Sequence, residues 1–422
     1  MKKTLNQASI KNWKPIGLVF LLGTILGVTL PGNLNAVGFR LPNQDPEGIA
    51  RGNAFAATAD DPAAIYYNPA GITQLEGQQI SAGIYVISAD TTFTSSSSGK
   101  TAETDSSPQA VPQLYYVNSF TNVPISIGLG IYAPYGLSLD WGNNAPFNTV
   151  GERGSDIYLC FNPVIAWRVM PTLSVGGGPT INYSQVKFDQ AIPVVPFAFP
   201  SGGQSEVTGD GVAAGFTLGI LWQPGLKWSF GVNYHSATTI NYKGTASQTG
   251  SALPPTIIPP STSATAAIRY PQFIVGGISF RPTPDWNLEF DLDWTDWHDV
   301  KQINVNNTPL GNHVLPLYYQ SSFMYEFGIT RQLGSGYYAS AGYIYSENSS
   351  PDANFNPLIP DADLHLGSIG IGHHSKRWDW AAAYHFAYNG GHTVTGDTAN
   401  PSANGTYKTF NNAFNVSATF KF

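Results

Sequence analysis

Apolar and polar residues alternate along most of the chain from residue 79 onward. In the segment 288–294, leucine, phenylalanine and tryptophan alternate with glutamate and aspartate, so one face is apolar and the other acidic. The segment 378–388 alternates in the same way, with aromatic residues concentrated on one face. Because side chains point to opposite faces of a strand at a period of two, this pattern predicts β-strands with one apolar and one more polar face.

Fourteen segments carry this pattern, and the connections between them alternate in length. The predicted strands are 80–94, 110–122, 125–139, 155–169, 172–188, 211–223, 226–243, 265–281, 285–301, 320–333, 336–348, 362–374, 377–389 and 409–422. Short turns lie at 122–124, 170–171, 224–225, 282–284, 334–335 and 375–376, and the longer loops lie at 95–109, 189–210, 244–264, 302–319, 349–361 and 390–408. Short turns on one side and long loops on the other are typical of outer-membrane barrels.

A soluble β-sandwich would also alternate, but the strand lengths and the composition favour a membrane barrel. The predicted strands exceed the usual length of about 5 to 6 residues, and aromatic residues lie near their ends. Charged residues make up 11% of the chain, against about 25% in ordinary globular domains. Aromatic residues reach 13% while the mean hydropathy is only -0.10, because an apolar lipid face and a polar lumen offset one another. The pattern predicts an all-β transmembrane antiparallel β-barrel of about 14 strands, occupying residues 79–422.

The last predicted strand ends on an aromatic residue, Phe422, after strict alternation through 414–421. This ending resembles the signal by which the barrel-assembly machinery recognises outer-membrane proteins. The closing strand is expected to pair with the first strand, which removes the exposed sheet edge. Nothing in this arrangement demands an oligomer, so a monomer surrounded by outer-membrane lipid and lipopolysaccharide is expected.

Residues 1–36 have the pattern of a cleaved signal peptide. Four lysines precede an apolar stretch at 16–30, and Leu34-Asn35-Ala36 offers a cleavage site. The alternative is an N-terminal membrane anchor, but a spanning helix needs about 20 apolar residues and this stretch is shorter and contains glycine. Export followed by cleavage after Ala36 is the prediction.

Residues 37–78 do not alternate and are rich in alanine and glycine. Small residues allow close packing against a surrounding wall, and the segment has few charges and many apolar residues. That composition disfavours a disordered periplasmic tail, which is the alternative. The segment is therefore predicted to be a hatch inside the barrel lumen.

The sequence GFRLPNQDPEGIARGNAFAATADDPAAIYYNPAGITQL at residues 38–75 resembles the N-terminal hatch of the FadL/TodX family of outer-membrane transporters for hydrophobic compounds. Further similarity follows in family order at 133–137, 161–168, 173–178, 234–236 and 359–363. The resemblance extends over essentially the whole chain after residue 36, and the family has fourteen strands. It implies a long-chain fatty acid, or another hydrophobic small molecule, as the transported compound.

The resemblance also implies a route: capture in an apolar groove of the outer loops, transfer to a lumenal pocket, movement of the hatch, and lateral release where the third strand is kinked. In this sequence the mobile end of the hatch would be Val37, Gly38 and Phe39, and the fixed elbow would be Asn68, Pro69 and Ala70. The kink would lie at Gly128, Gly130 and Pro134, since glycine and proline weaken a strand ladder; the alternative is that these small residues face lipid beside an intact wall. The outer groove would be formed by Ile192, Val194, Val195, Phe197, Phe199, Leu253, Ile257 and Ile258, an apolar run expected either to bind ligand or to cover the barrel mouth.

The substrate class stays open between long-chain fatty acids and aromatic hydrocarbons. A fatty-acid carboxylate in an apolar pocket needs a cationic partner, whereas a neutral hydrocarbon needs none. The basic residues in or beside predicted strands are Arg153, Arg168, Arg269, Arg281 and Arg331. The sequence does not indicate which of them face the lumen.

Other chemistry is disfavoured, and no cofactor or metal is expected. His373 and His374 are adjacent on a strand and point to opposite faces, so they are poorly placed for one ion with His365 or His385. The acidic residues Glu289, Asp291 and Asp293 are interpreted as a solvated polar stripe rather than as a calcium or acid–base site.

Three further classes of protein fit the sequence less well. A net charge of -7 disfavours a nucleic-acid partner, and the single Cys160 excludes an internal disulfide. A barrel enzyme, such as a lipase or protease, would need a convergent catalytic set, and no GxSxG, HExxH or P-loop motif occurs. A general diffusion porin would need an open, charged constriction, which a plug of small residues disfavours.

Overall fold

The computed structural model describes residues 38–422. The predicted signal peptide at 1–36 and Val37 therefore lie outside the described residues. In the described part of the chain, no helix combines the length and the apolar character that crossing a membrane requires.

Within residues 38–422, twenty-one strand segments form one antiparallel sheet. They are β1 (Gly77–Ser95), β2 (Thr101–Glu103), β3 (Gln109–Ser119), β4 (Ile125–Tyr132), β5 (Gly136–Asp140), β6 (Arg153–Met170), β7 (Leu173–Ile192), β8 (Gly203–Trp222), β9 (Trp228–His235), β10 (Thr238–Thr249), β11 (Ser261–Tyr270), β12 (Phe273–Phe280), β13 (Trp286–Thr295), β14 (Gln302–Thr308), β15 (Gly311–Pro316), β16 (Ser322–Gly334), β17 (Tyr337–Ser346), β18 (Leu364–His373), β19 (Trp378–Tyr388), β20 (His392–Val394) and β21 (Gly405–Lys421).

These segments make a closed barrel of fourteen strands, which confirms the predicted fold. The pairs β4/β5, β9/β10 and β11/β12 are single barrel strands with short interruptions, and β2, β14, β15 and β20 lie within the long loops. The first and last strands pair over their whole length, from Gln79 opposite Lys421 to Ser95 opposite Gly405. Within residues 38–422, this pairing closes the barrel and leaves neither terminal strand as a free edge.

Several strands extend further on the long-loop side than the alternation indicates. The predicted loop at 189–210 contains the end of β7 and the start of β8, so the connection itself is only 193–202. The loop predicted at 244–264 shrinks in the same way to 250–260, and the loop at 302–319 contains the hairpin of β14 and β15. These extensions are rich in Ser, Thr and Gly on both faces, because beyond the membrane neither face needs to be apolar.

Large apolar side chains cover the outer face of the barrel, where lipid would surround it. Examples with more than two fifths of their surface exposed are Ile84, Ile165, Ile181, Leu218, Ile369 and Phe414. The lumenal positions of the same strands are buried and carry many small or polar residues, with apolar residues such as Ile87 and Leu366 among them. This is the distribution expected of a barrel in an outer membrane.

Residues 38–76, here called the lumenal segment, fill the barrel interior. The segment contains helix α1 (Pro46–Ala50), helix α2 (Ala64–Tyr67) and a 3-10 helix (Pro69–Gln74). Asp45 caps α1 by accepting a hydrogen bond from the Glu47 amide at 2.6 Å, and Asn68 caps the 3-10 helix. In both cases proline occupies the first helical position, where its missing N–H costs nothing.

Candidate functional site

The third barrel strand is interrupted between β4 and β5. The ladder between β3 and β4 runs only as far as Leu114 opposite Ile131. Beyond that point β5 pairs with β6, and within the described residues no pairing joins β5 to β3. Pro134 lies in the interruption, and Pro112 on β3 has no N–H to donate to a ladder there. The wall is therefore locally open to a further hydrogen-bonding partner.

The beginning of the lumenal segment occupies this interruption. The Leu41 amide donates to the Pro134 carbonyl at 2.8 Å, and the Gly136 amide donates to the Phe39 carbonyl at 2.9 Å. Between these two bonds, Arg40 and Tyr135 form an antiparallel bridge. The lumenal segment thus supplies main-chain hydrogen bonds to residues 134–136, which β3 does not.

Gly128 and Gly130 lie on β4 below the interruption and face the lumen. A Cβ atom on either residue would come within 2.8 Å of the side chain of Ile65 in helix α2. The alternative interpretation, that these glycines face lipid, is therefore wrong. They allow the lumenal segment to pack closely against the third strand.

An aromatic cage holds Phe39 beside the interruption. Its ring centroid lies 4.9 Å from that of Trp297, 5.5 Å from that of Tyr270 and 6.0 Å from that of Tyr135. Gly38 has φ +57, and a Cβ there would come within 2.7 Å of the Trp297 ring, so this approach to the cage requires glycine. The start of the described chain is consequently well packed.

Two acidic residues of β13 bind the backbone of the lumenal segment. One Asp291 carboxylate oxygen accepts from the amides of Phe55 and Ala56 at 2.9 and 2.8 Å. One Glu289 oxygen accepts from the amides of Ala57 and Thr58 at 2.7 and 3.0 Å. The interpretation of the acidic residues of β13 as a solvated stripe is therefore wrong. They are buried because they pair with amides that have no secondary-structure partner.

The third acidic residue of β13, Asp293, binds a cation from the lumenal segment. Arg40 Nη1 donates to Asp293 Oδ1 and to Thr295 Oγ1, each at 2.7 Å. The Arg40 guanidinium also stacks on the ring of Phe273, 3.5 Å from its centroid. This ion pair anchors the residue that bridges to the third strand.

The Asn68-Pro69-Ala70 element is packed against the wall at β7 and β8. Asn68 Nδ2 donates to the Ala56 carbonyl at 2.7 Å and to the Ile220 carbonyl of β8 at 3.0 Å. A Cβ on Gly219 would come within 2.3 Å of Asn68 Oδ1, and one on Gly176 within 2.7 Å of the Pro69 backbone. The barrel wall therefore uses glycine where this element approaches it.

An apolar cavity of about 30 Å³ adjoins residues 41–43 of the lumenal segment. Its lining is completed by inward-facing residues of six strands: Tyr85, Ile87, Met324, Ile344, Ser346, Leu364, Leu366, His385, Ala387 and Asn411. No lysine or arginine is among the lining residues. At this volume the cavity has room for one small group rather than for a whole hydrocarbon or fatty acid, and it offers no counter-charge.

The arginines predicted as partners of a carboxylate lie away from this cavity. Arg153 pairs with Asp140 and Arg269 with Asp299, both at 2.8 Å and with about two fifths of each arginine side chain exposed. At the short-turn end, Arg168 donates to the Thr73 carbonyl, Arg331 stacks on Trp286, and the Arg281 amide donates to the Lys227 carbonyl.

The buried arginines are instead Arg40 and Arg51 of the lumenal segment, which the sequence analysis missed. They are 1% and 4% exposed. They are also the two basic residues between positions 38 and 76. The sequence did contain a signal for them. Strand β13 carries three acidic residues and no basic residue on its inward face, which could have pointed to a cation in the lumenal segment.

The apolar outer-loop residues divide into buried and exposed members. Val194, Phe197 and Ile257 are 65%, 89% and 63% exposed, and Val195 is 42% exposed. Ile192 and Phe199 are buried, while Leu253 and Ile258 are partly buried. Phe197 has φ +68 at the tip of a tight turn closed by Val195 and Phe199, and the Ala252 amide joins the second loop to this turn at Ala198. The exposed members are thus Val194, Val195 and Phe197 of the first loop and Ile257 of the second, and this hydrogen bond joins the two loops.

His374 connects the lumenal segment to the short-turn end of the barrel. Its ring lies 3.6 Å from Glu47 Oε1 and 3.4 Å from Asp379 Oδ2, and Lys421 lies 2.5 Å from the same aspartate. Burial alone would lower the pKa of His374, but hydrogen bonding to Asp379 and the charge of Glu47 raise it to about 9. The ring is therefore protonated at neutral pH and holds the two carboxylates together.

Helix α1 carries a second perturbed group. Burial and the neighbouring Glu47 raise the pKa of Asp45 to about 7.

The histidines considered as metal ligands with His374 each contact a different residue. His373 contacts Ser335, His365 contacts Tyr343, and His385 contacts Tyr85. Among residues 38–422, no three His, Cys, Asp or Glu side chains are grouped so as to hold a metal ion.

A family model described as outer membrane protein transport protein (OMPP1/FadL/TodX) matches residues 28–422. The long-chain fatty acid transport protein of Salmonella typhi is 24% identical over 368 residues, covering 79% of this chain and 83% of that protein. The long-chain fatty acid transport protein of Escherichia coli (strain K12) is 23% identical over 376 residues. This match covers 79% of this chain and 84% of the E. coli protein.

Solved structures share the fold. A Pseudomonas aeruginosa FadL homologue superposes with a TM-score of 0.81 at 18% identity, covering 91% of this chain and 100% of its own. The Pseudomonas putida toluene transporter TodX gives a TM-score of 0.74 at 17% identity, covering 92% of this chain and 100% of its own.

Proposed function

Because the chain belongs to the OMPP1/FadL/TodX family of outer membrane transport proteins, we propose that it imports hydrophobic compounds through the wall of its barrel. In this scheme the outer-loop surface around Phe197 captures the compound, and the lumenal segment acts as a hatch. The apolar cavity beside residues 41–43 widens to receive the compound when those residues move. Movement of the hatch frees the interruption of the third strand, and the compound leaves sideways into the membrane.

The observation that carries this proposal is the pairing of residues 39–41 with residues 134–136. The wall between β3 and β5 lacks a strand ladder, and the hatch takes its place. Withdrawing residues 39–41 would leave a lateral gap bounded by lipid. An apolar compound would pass from the lumen to lipid through such a gap without crossing the aqueous periplasm.

The exposed apolar residues of the outer loops support the capture step. A phenylalanine that is 89% exposed at the tip of a turn gains nothing for the fold. Exposed apolar patches on otherwise well-packed proteins mark binding sites. Val194 and Ile257, 65% and 63% exposed, belong to the same surface and extend it.

Two substrate classes fit this scheme. Long-chain fatty acids are named for the relatives from Salmonella typhi and Escherichia coli, and toluene for the structural neighbour from Pseudomonas putida. The cavity beside residues 41–43 has no cation, which favours a neutral compound over an ionised carboxylate. The aromatic-hydrocarbon class is therefore kept beside the fatty-acid class.

Uptake by whole cells tests this function. Cells without their own transporter would express this protein and receive labelled oleate or labelled toluene. We expect uptake of at least one compound, and its loss in Pro69→Leu, because leucine cannot maintain the packing of that proline against Gly176 and Gly219. Pro284→Ala, in an exposed turn at the short-turn end, is the matched control and is expected to retain uptake. Entry of small polar solutes, with uptake of neither compound, would contradict the proposal and indicate a porin.

A further inference from the structure

A hydrogen-bonded chain leads from the lumenal segment to a histidine in the apolar cavity. Asn43 Nδ2 donates to Tyr85 Oη at 3.1 Å, and Tyr85 Oη lies 3.0 Å from His385 Nε2. The orientation of the Asn43 amide is set by Asn53, whose Nδ2 donates to Asn43 Oδ1 at 2.8 Å. The tyrosine oxygen is thus an acceptor from Asn43.

This chain determines which nitrogen of His385 carries the proton. Within residues 38–422, His385 Nε2 is the one acceptor that the hydrogen-bond geometry offers to the Tyr85 hydroxyl hydrogen. A neutral imidazole has one donor and one acceptor nitrogen, so Nε2 accepts and Nδ1 carries the hydrogen. No ion pair involves His385 in the described structure, and the ring is 1% exposed, so the neutral form is favoured.

Among the residues that the structure describes, the Nδ1 donor of His385 has no partner. It is a buried polar atom without a hydrogen bond, in a cavity whose other lining is mostly apolar. Ser346 Oγ, on β17 in the same lining, is also buried without a partner. Unpaired buried donors are rare and unfavourable in folded proteins, and a ligand that accepts a hydrogen bond would relieve this cost.

We propose that this cavity recognises neutral hydrophobic compounds that carry an oxygen acceptor, such as an ether, ester, ketone or alcohol. His385 Nδ1–H donates a hydrogen bond to that oxygen, while Ile87, Leu366 and Ala387 pack against the carbon atoms beside it. The rest of the compound takes the space of residues 41–43, which also line the cavity and belong to the segment that moves. The inference rests on the proposed function, since it treats the cavity as the lumenal substrate site.

The other substrate classes fit these groups less well. An ionised carboxylate would be buried without a counter-charge, because no lysine or arginine lines the cavity and Arg40 is already paired with Asp293. A plain hydrocarbon would leave the His385 donor unpaired. An oxygen acceptor satisfies the donor without bringing in a charge, which makes His385 a specificity-determining residue.

The direct test compares two compounds of nearly equal shape. Anisole and ethylbenzene differ in that an ether oxygen replaces a methylene group. Binding of each labelled compound to the purified full-length protein is measured by equilibrium dialysis, with detergent micelles alone as the blank. The measured quantity is the ratio of anisole affinity to ethylbenzene affinity. We expect His385→Phe to lower this ratio about three- to tenfold, the worth of one neutral hydrogen bond, while ethylbenzene binding persists.

Two further variants assign the effect. His365→Phe replaces a histidine that contacts Tyr343 outside the cavity, and the ratio should stay at its wild-type value. Ser346→Ala should change the ratio less than His385→Phe. Retained ethylbenzene binding shows that each variant is folded.

Three outcomes would overturn the inference. The first is an unchanged ratio in His385→Phe. The second is a ratio that is lowered in Ser346→Ala but not in His385→Phe. The third is failure of the wild-type protein to bind either compound. In the third case, continued oleate or toluene uptake by cells would leave the proposed function standing, whereas absence of uptake as well would contradict both.

Discussion

Arg40 Nη1 lies 2.7 Å from Asp293 Oδ1, and both side chains are 2% exposed. Arg40 also bridges to the interrupted third strand, so this ion pair links that strand to β13 on the far wall of the barrel. Removing one partner of a buried ion pair costs about 3 to 5 kcal/mol, since the other charge is left without compensation.

Asp293→Asn should therefore loosen the beginning of the lumenal segment. We expect more frequent opening, measured as increased conductance of the protein in a planar lipid bilayer. Asp285→Asn, in an exposed turn at the short-turn end, is the control and should conduct like the wild type. Equal conductance of all three proteins would show that this ion pair does not hold the segment closed.

Gly231 allows the lumenal segment to approach β9. A Cβ there would come within 1.9 Å of the Ala56 carbonyl oxygen, so Gly231→Ala should displace the segment from the wall. The segment should then become sensitive to added protease while the barrel stays resistant. Gly276→Ala is the matched control on the adjoining strand β12, where a Cβ meets nothing within 4 Å. Protection of the segment in Gly231→Ala would contradict this packing.

Phe197 tests the capture surface. Phe197→Ser should raise the substrate concentration at half-maximal uptake about tenfold, given the free energy of burying a phenylalanine, with little change in maximal rate. Leu226→Ser changes a residue that is 96% exposed in a turn at the opposite end of the barrel, and should leave both values unchanged. Similar effects of the two substitutions would argue against capture at the outer loops.

His374 should make the attachment of the lumenal segment dependent on pH. Its pKa is about 9 in the folded protein against an ordinary value of 6.5, so its contribution is full below pH 6.5 and is lost as pH rises through 9. The contribution is about 1 kcal/mol or less, because 41% of the side chain is exposed. Glu47, Asp60, Asp379 and Lys421 provide the surrounding charges.

The thermal stability of His374→Gln should accordingly be lower than that of the wild type at pH 6.5. The difference should shrink as the pH approaches 10. A difference that stays constant between these pH values would show that the charge of His374 does not contribute.

The barrel could be predicted from the sequence because the membrane imposes a period of two on every strand that it surrounds. Beyond the membrane this constraint ends, so the polar extension of β8 from Gly203 was predicted as loop. The acidic residues of β13 were placed on the correct face but misinterpreted, since their partners are backbone amides of residues 55–58. Backbone amides carry no sequence signature. The pairing of Arg40 with Asp293 depends on a tertiary contact across 253 positions, which no local pattern encodes.

In the proposed route, residues 39–41 must leave the third strand before a compound can pass. Arg40 and Tyr135 form an antiparallel bridge flanked by two main-chain hydrogen bonds. Residues in such a non-hydrogen-bonded pair have Cα atoms about 4.5 Å apart, within the range that a disulfide spans. Arg40→Cys with Tyr135→Cys, in a Cys160→Ser background, can therefore lock the segment to the wall.

The most direct measurement is uptake of labelled oleate or toluene by cells carrying this locked variant, before and after reduction. We expect no uptake while the disulfide is intact and recovery of uptake in the same cells once it is reduced. Binding at the outer loops should persist in both states. Undiminished uptake with the disulfide intact would show that transport proceeds without separating residues 39–41 from the third strand, and the proposed route would then be wrong.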